Sequence, residues 1–374
     1  MKAGVGVRLL AASLVHHSVG ASKVANGTCT TAVPTVLVGG DLPVRRLITG
    51  LWQTSGGWGP KVSDAEATKA LHAMVASGYT TFDGADHYGP AETLMGALFT
   101  ESNQSQALVL MTKWCPSPER ITRAAADAAV SKSMRRMHVQ KLDVLQLHWW
   151  DYSMESEMLS CLDHLDAIRK EGKINKLGLT NFDTARLKMF LDRGIPIATN
   201  QVQFSLIDTR PRAKMAPLCV ERGVGLLTYG TLLGGLLSDE WLGKPDPSSD
   251  RRTLSSLTPS QGKYYRMLGP WGGWGLFQEL LRVLRTVADG QSARLGGGEP
   301  IEIAHIGLKW VLDQPGVASV IVGLRAGLSE HARDNLRAFD VRLSAQDLEA
   351  IDAVLAKSGD LMAAIGDCGD EYRR

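Results

Sequence analysis

Short apolar runs and helical patterns take turns along this chain from about residue 45 onward. The runs are Arg46–Leu51, Thr80–Asp83, Ala107–Thr112, Leu142–His148, Lys176–Thr180, Ile197–Gln203, Gly225–Tyr229 and Ala318–Gly323. Most are apolar at consecutive positions, which suits strands buried on both faces of a parallel sheet covered by helices. Between them lie the periodic segments Ser117–Met137, Glu155–Glu171, Thr184–Arg193, Arg212–Arg222, Glu302–Asp313 and Ser329–Ala338. Ser63 and Glu66 make a capping box ahead of Ala67, Leu71, Met74 and Val75, and Gly78 is placed to end that helix. Eight strands with intervening helices predict an α/β chain folded as a single-domain (β/α)8 TIM barrel. A doubly wound sheet would want a Gly-rich fingerprint after its first strand. Here that strand runs into Gly50-Leu51-Trp52-Gln53-Thr54-Ser55-Gly56-Gly57, which lacks the spacing.

Three regions stand outside the alternation. Roughly Ser238–Gly275 reads as a long insertion after strand seven, a loop at the catalytic face or a disordered one. Ala293–Pro300, with Gly296-Gly297-Gly298, reads as a flexible surface loop. Residues 1–40 contain no Asp or Glu, so 1–43 reads as a disordered leader, 44–357 as the barrel and 358–374 as a C-terminal tail. The basic, Ser-containing leader fits an organelle transit peptide. Its apolar stretch Leu9–Val15 also fits a short secretory segment, and a bland extension is the third reading. The first reading places the protein in a chloroplast or mitochondrion; without targeting it is cytoplasmic.

Composition excludes several classes. Lys plus Arg number 41 against 39 Asp plus Glu, a net charge of +2, so nothing calls for a nucleic-acid or anionic-membrane partner. No run of about 18 apolar residues exists. The five cysteines are scattered, odd in number and without a CxxC, which argues against a disulfide framework or structural zinc. A reducing compartment is the simpler reading.

In a barrel the strand C-termini host the active site. The second strand ends in Asp83-Gly84-Ala85-Asp86-His87-Tyr88, the third in Thr112-Lys113-Trp114 and the fourth in Leu147-His148. Asp83, Tyr88, Lys113 and His148 can therefore meet at one mouth. A Lys ammonium beside a Tyr favours the phenolate and lowers its pKa. A buried Lys needs an anion, which Asp83 supplies. Such a Tyr can donate a proton to a carbonyl oxygen that is becoming an alkoxide, and His148 can orient that oxygen. Trp52, Trp58, Trp114, Trp149 and Trp150 all fall near strand ends and suit an aromatic substrate pocket. Asp86 and His87 read alternatively as metal ligands. Only His87 and His148 are placed to contribute to such a centre, so no metal site is assigned.

At these residues the chain resembles the aldo-keto reductase superfamily. Gly178-Leu179-Thr180-Asn181-Phe182 and Asn200-Gln201-Val202-Gln203-Phe204 are similar to its strand-five and strand-six motifs. Thr228-Tyr229-Gly230-Thr231-Leu232-Leu233-Gly234-Gly235 is similar to its strand-seven Tyr and phosphate loop. Val322-Gly323-Leu324-Arg325, followed by Asp334-Asn335-Leu336, is similar to its C-terminal cofactor clamp. The resemblance runs from about residue 44 to residue 357.

The resemblance implies a TIM barrel that binds extended NADP(H), with Tyr88 as general acid/base and Asp83, Lys113 and His148 around it. It implies hydride transfer between nicotinamide and an aldehyde or ketone, or an alcohol in reverse. Gly50, Leu51 and Trp52 would touch cofactor, and Thr180, Asn181 and Gln201 would hold the carboxamide. Tyr229 would stack on the nicotinamide, and Gly230, Thr231, Leu232 and Gly234 would wrap the pyrophosphate. Gly323 and Arg325 would meet the adenosine 2′-phosphate end, and Asp334 and Asn335 the adenine.

Two positions depart from the pattern. Thr180 replaces a Ser and keeps the hydroxyl. His331 replaces an Arg that grips the 2′-phosphate, which leaves Arg325, with Arg333 or Arg337 helping; NAD(H) thus stays open. A small-molecule carbonyl or alcohol is the expected partner, and oligomeric state is not legible. The competing readings are a cofactor-binding, redox-sensing interaction protein similar to channel β subunits, and a metal-dependent barrel hydrolase.

Overall fold

The computed structural model describes residues 33–56, 62–117, 119–325 and 331–373. The leader through residue 32, together with Cys29 and Trp58, lies outside the described residues.

The described chain opens with a hairpin, β1 (Thr35–Val38) antiparallel to β2 (Leu42–Arg45). Strands and helices then alternate: β3 (Leu47–Gly50), α1 (Asp64–Ala76), β4 (Thr81–Asp83), α2 (Ala91–Glu101), β5 (Val109–Trp114) and α3 (Arg123–Arg136). Next come β6 (Leu142–Leu147), α4 (Glu155–Lys170), β7 (Ile174–Thr180), α5 (Thr184–Asp192), β8 (Ile197–Gln203), α6 (Met215–Arg222) and β9 (Gly225–Tyr229). Three helices follow, α7 (Arg251–Ser256), α8 (Pro259–Trp271) and α9 (Gly273–Leu295). The chain then adds α10 (Ile303–Leu312), β10 (Val317–Gly323), α11 (Ala332–Asn335), α12 (Ala345–Leu355) and α13 (Leu361–Ile365). Eight strands close a parallel barrel in the order β10-β3-β4-β5-β6-β7-β8-β9. Strands β5 and β8 are buried along their whole length, as strands covered on both faces are.

The α1 capping box is present: the Ser63 hydroxyl accepts from the Glu66 N–H at 3.3 Å, and the Glu66 carboxylate accepts from the Ser63 N–H at 3.1 Å. Other edges move. The third run starts two residues later than expected, because the Val109 N–H joins the Thr80 carbonyl at 2.8 Å. Lys113 thus sits inside a strand. The helix expected from Ser117 begins only at Arg123, where the Thr122 hydroxyl accepts from the Ala125 N–H at 3.2 Å.

The boundary expected at residue 44 falls inside the β1–β2 hairpin. Val38, Leu42 and Val44 pack on Ile48, Val109, Met111, Val144 and Leu227, which puts the hairpin under the barrel. Gly39-Gly40-Asp41 between two apolar runs was the hairpin signal in the sequence.

The expected loop over Ser238–Gly275 is corrected: most of it is helical and continues into α9. Pro259 starts α8 behind a Thr258–Gln261 capping box, and Gly272-Gly273 turns the chain into α9. The Pro and Gly residues that read as loop therefore mark helix ends. The buried face of α9, Phe277, Leu280, Leu281, Leu284, Val287 and Ala288, has helical spacing. Gly296, at φ 73°, caps α9.

Candidate active site

Asp83 ends β4 and is 3% exposed. Its carboxylate takes a salt bridge from the ammonium of Lys113, which is wholly buried and also donates to the Gly84 carbonyl at 2.8 Å. The other carboxylate oxygen accepts from Gln146 Nε2 at 2.8 Å and from Gln201 Nε2 at 3.0 Å. Gln146 Oε1 in turn accepts from Gln201 Nε2 at 2.9 Å and from the Thr180 hydroxyl at 3.2 Å. Residues from β4, β5, β6, β7 and β8 thereby form a satisfied polar floor, which is what buried charge demands. Gly178 makes room for it: a Cβ there would lie 2.4 Å from Thr199 Oγ1 and 2.9 Å from Gln146 Cγ.

Tyr88 stands above this floor. Its backbone N–H meets the Ala85 carbonyl at 3.1 Å, and its carbonyl accepts from the Thr54 hydroxyl at 3.2 Å. Lys113 Nζ lies 4.9 Å from the centre of its ring. Burial, then the negative charge of Asp83, pushes the phenol pKa well above its ordinary value. That corrects the expectation of a lowered pKa: burial and the negative charge of Asp83 outweigh the nearby Lys113 ammonium. Burial also lowers the Lys113 pKa, and Asp83 opposes that loss.

His148 follows β6 directly and is 7% exposed. Burial, then the positive charge of Lys113, lowers its pKa to about 3, so its imidazole is neutral at physiological pH. Asn181 Oδ1 accepts from the Tyr229 hydroxyl at 2.8 Å, which turns its Nδ2 toward His148 Nε2 at 3.4 Å.

A cavity of about 880 Å³ runs from these groups along the strand ends. Asp83, Tyr88, His148, Thr180, Asn181 and Tyr229 face it, as do Gly50 and Trp52. Gly230, Thr231, Leu232 and Gly234 carry the wall onward to Gly323, Arg325, Asp334 and Asn335. Helix α8 lies against that loop: a Cβ on Gly234 would come within 2.8 Å of Ser260. At the far end His305 Nε2 pairs with Asp334 at 3.0 Å and anchors α11.

Some expected residues lie elsewhere. Leu51 is fully buried in the core, and Gln201 braces Asp83 under the floor; neither faces the cavity. Arg337 is occupied by the carbonyls of Glu299 and Pro300, and Arg333 points to solvent, so neither supplements Arg325. His331 does face the cavity. Trp52 and Trp150 line it, whereas Trp114 and Trp149 are core. Asp86 and His87 pair with each other at 2.8 Å. Among the described residues no three His, Cys, Asp or Glu side chains gather as metal ligands would.

Four participants escaped sequence reading. Gln146 sits two positions before His148 in an apolar strand, and an internal polar residue there was its signal. Lys263 on α8 and Glu371 and Tyr372 on the tail reach the site only through tertiary folding. Tyr229 Oη lies 3.3 Å from Tyr372 Oη and 3.4 Å from Glu371 Oε1. The tail is held by Arg210, which bonds Asp208 at 2.8 Å and Glu371 at 3.1 Å.

The site thus combines a closed parallel barrel with a buried Lys–Asp pair under a cavity-facing Tyr. The pattern of the Aldo/keto reductase family matches residues 46–356, and the chain belongs to that family of oxidoreductases. It is 28% identical to the chloroplastic pyridoxal reductase of Arabidopsis thaliana over 234 residues, 58% of this chain and 64% of that protein. It is 30% identical to flagellar radial spoke protein 5 of Chlamydomonas reinhardtii over 191 residues, 46% of this chain. The chain spans less than two thirds of the first relative and about a third (34%) of the second. Among solved structures it is similar to an aldo-keto reductase from Klebsiella pneumoniae in complex with NADPH, at TM-score 0.62 and 23% identity. That match covers 87% of this chain and 95% of the other, and shows the fold.

Proposed function

We propose that the protein is an NADP(H)-dependent carbonyl reductase, or alcohol dehydrogenase in reverse, with Tyr88 as its general acid/base. One observation carries this reading: the buried Lys113–Asp83 pair lies beneath the Tyr88 ring, in a cavity of about 880 Å³ whose lining runs on to Gly323, Arg325 and Asn335. The donor set fits that cofactor in order. Asn181 offers an amide, Tyr229 an aromatic face, Gly230–Leu232 backbone N–H groups, Arg325 a cation and Asn335 a base partner. Bound NADPH would supply hydride to the carbonyl carbon.

The chain's own groups handle the proton. The Tyr88 phenol, kept protonated by burial, holds a hydrogen for the oxygen that becomes an alkoxide. The Lys113 ammonium stabilises the phenolate left behind, and Asp83 keeps that ammonium charged in a dry site. Neutral His148 is placed to orient the same oxygen once Asn181 releases its Nε2. Trp52 and Trp150 supply an apolar flank.

NADPH should quench the fluorescence of the purified protein, and a generic aldehyde should be turned over. Tyr88→Phe should lower kcat by about 10²–10⁴ while NADPH still binds. Normal turnover by that variant would overturn the assignment. Tight cofactor retention with very slow turnover of every aldehyde would favour the redox-sensing alternative.

A further inference from the structure

Lys263 is the cavity's unexplained charge. It projects from α8, and its ammonium lies 5.0, 5.1 and 4.8 Å from the ring centres of Tyr229, Tyr264 and Tyr372. It donates to the Tyr372 hydroxyl at 2.5 Å. Among the described residues no carboxylate comes within ion-pair reach of it. The nearby Glu371 is turned to Arg210 at 3.1 Å and receives Tyr229 Oη at 3.4 Å. Burial works against the Lys263 charge, yet the phenols of Tyr264 and Tyr372, with Glu371 behind them, hold its pKa above the ordinary value. Lys263 lines the cavity with a hydroxyl for its partner and no paired carboxylate among the described residues, so its ammonium is placed to receive an anionic group.

The anion's place is set by Tyr372. Its ring lies 5.4 Å from that of Trp150 and 6.2 Å from that of His148, both edge-on, so it faces the substrate end of the cavity. Tyr372 thus connects Lys263 to the part of the cavity where His148 and Trp150 stand. We infer that Lys263, positioned by Tyr372, forms a subsite for a negatively charged group on the carbonyl substrate, a carboxylate or a phosphate. This rests on the reductase reading and names the substrate class within it. Tyr372 acts through Lys263 and is a positioning residue.

Two substrate pairs test the subsite: 4-carboxybenzaldehyde against its methyl ester, and glyceraldehyde 3-phosphate against glyceraldehyde. The native protein should prefer at least one anionic member by about tenfold or more in kcat/KM, and the pair that shows the preference identifies the anion. Lys263→Met should bring that ratio to near one, mainly through KM, and Lys263→Arg should restore part of it. Tyr372→Phe should lower it by about two- to fivefold. A native ratio near one for both pairs overturns the inference. So does a Lys263→Met variant that keeps the ratio and loses NADPH affinity instead, because Lys263 would then serve the cofactor. If no aldehyde is reduced at all, the reductase reading fails and the subsite is judged by binding. Benzoate should then quench tryptophan fluorescence with an affinity about tenfold weaker in Lys263→Met, with benzamide unaffected; equal benzoate binding rejects the subsite.

Discussion

The cavity has two walls made in different ways. The floor, Asp83, Lys113, Gln146, Thr180 and Gln201, hangs on adjacent strands whose register is locked by the barrel ladder. The upper wall, Tyr229, Lys263, Glu371 and Tyr372, is gathered from a strand end, an inserted helix and the last residues of the chain. Lys263 and Tyr372 are 109 positions apart, Tyr229 and Tyr372 143. The floor shares its hydrogen bonds with the core and can open only by unfolding the barrel. The wall is held by side chains and a short tail, so it can loosen locally. On the proposed reading, chemistry would sit on the rigid part and substrate selection on the adjustable part.

Lys113→Met puts the contrast under the heaviest load. It leaves Asp83 charged and buried, so stability should fall by about 3–5 kcal/mol in a denaturant titration, with turnover lost. Arg210→Ala strikes the wall's anchor. Asp208, fully buried, and Glu371 lose a shared partner, and about 2–3 kcal/mol should go, with early exposure of the tail to carboxypeptidase. Should Arg210→Ala cost as much as Lys113→Met, the wall is no more adjustable than the floor.

Gly369→Ala is milder and more selective. Gly369 has φ 87°, and a Cβ there would sit 1.9 Å from the Asn181 carbonyl, so the tail must lift. Substrate KM should rise several-fold while the melting temperature drops by about 1–3 °C. A large melting shift would make the tail part of the core.

The last effect expected is on pH dependence, and it is confined to acid. His148 binds its proton far more weakly folded, at about 3, than unfolded, near the ordinary 6.5. Its contribution to stability is therefore complete above about 6.5 and is lost as pH falls toward 3. His148→Gln should flatten that part of the acid limb of a stability profile; an unchanged limb would assign it to the carboxylates.

Much of the floor was legible because its residues fall at strand ends. Consecutive apolar runs located the strands, and the first polar residues after them, Asp83 and His148, located the mouth. Lys113 was found by the same rule, although β5 runs past it. Gln146 was hidden because a single amide inside an apolar run shows nothing of the carboxylate it serves. The hairpin, α8 and α9 had local signals of their own. Gly39-Gly40-Asp41, the Thr258–Gln261 box and the spacing of Phe277, Leu280, Leu281 and Leu284 were obscured by Pro and Gly that also suit loops.

The amino-acid order alone determined the barrel and the four groups at its mouth, because both follow from periodicities and positions a few residues long. It could not determine the upper wall. Whether Lys263 and Tyr372 meet depends on how an inserted helix and a returning tail pack across the barrel rim. It also depends on Arg210 being free to draw Glu371 away. Contacts of that range are decided by the packed chain as a whole, so only the tertiary structure could set them.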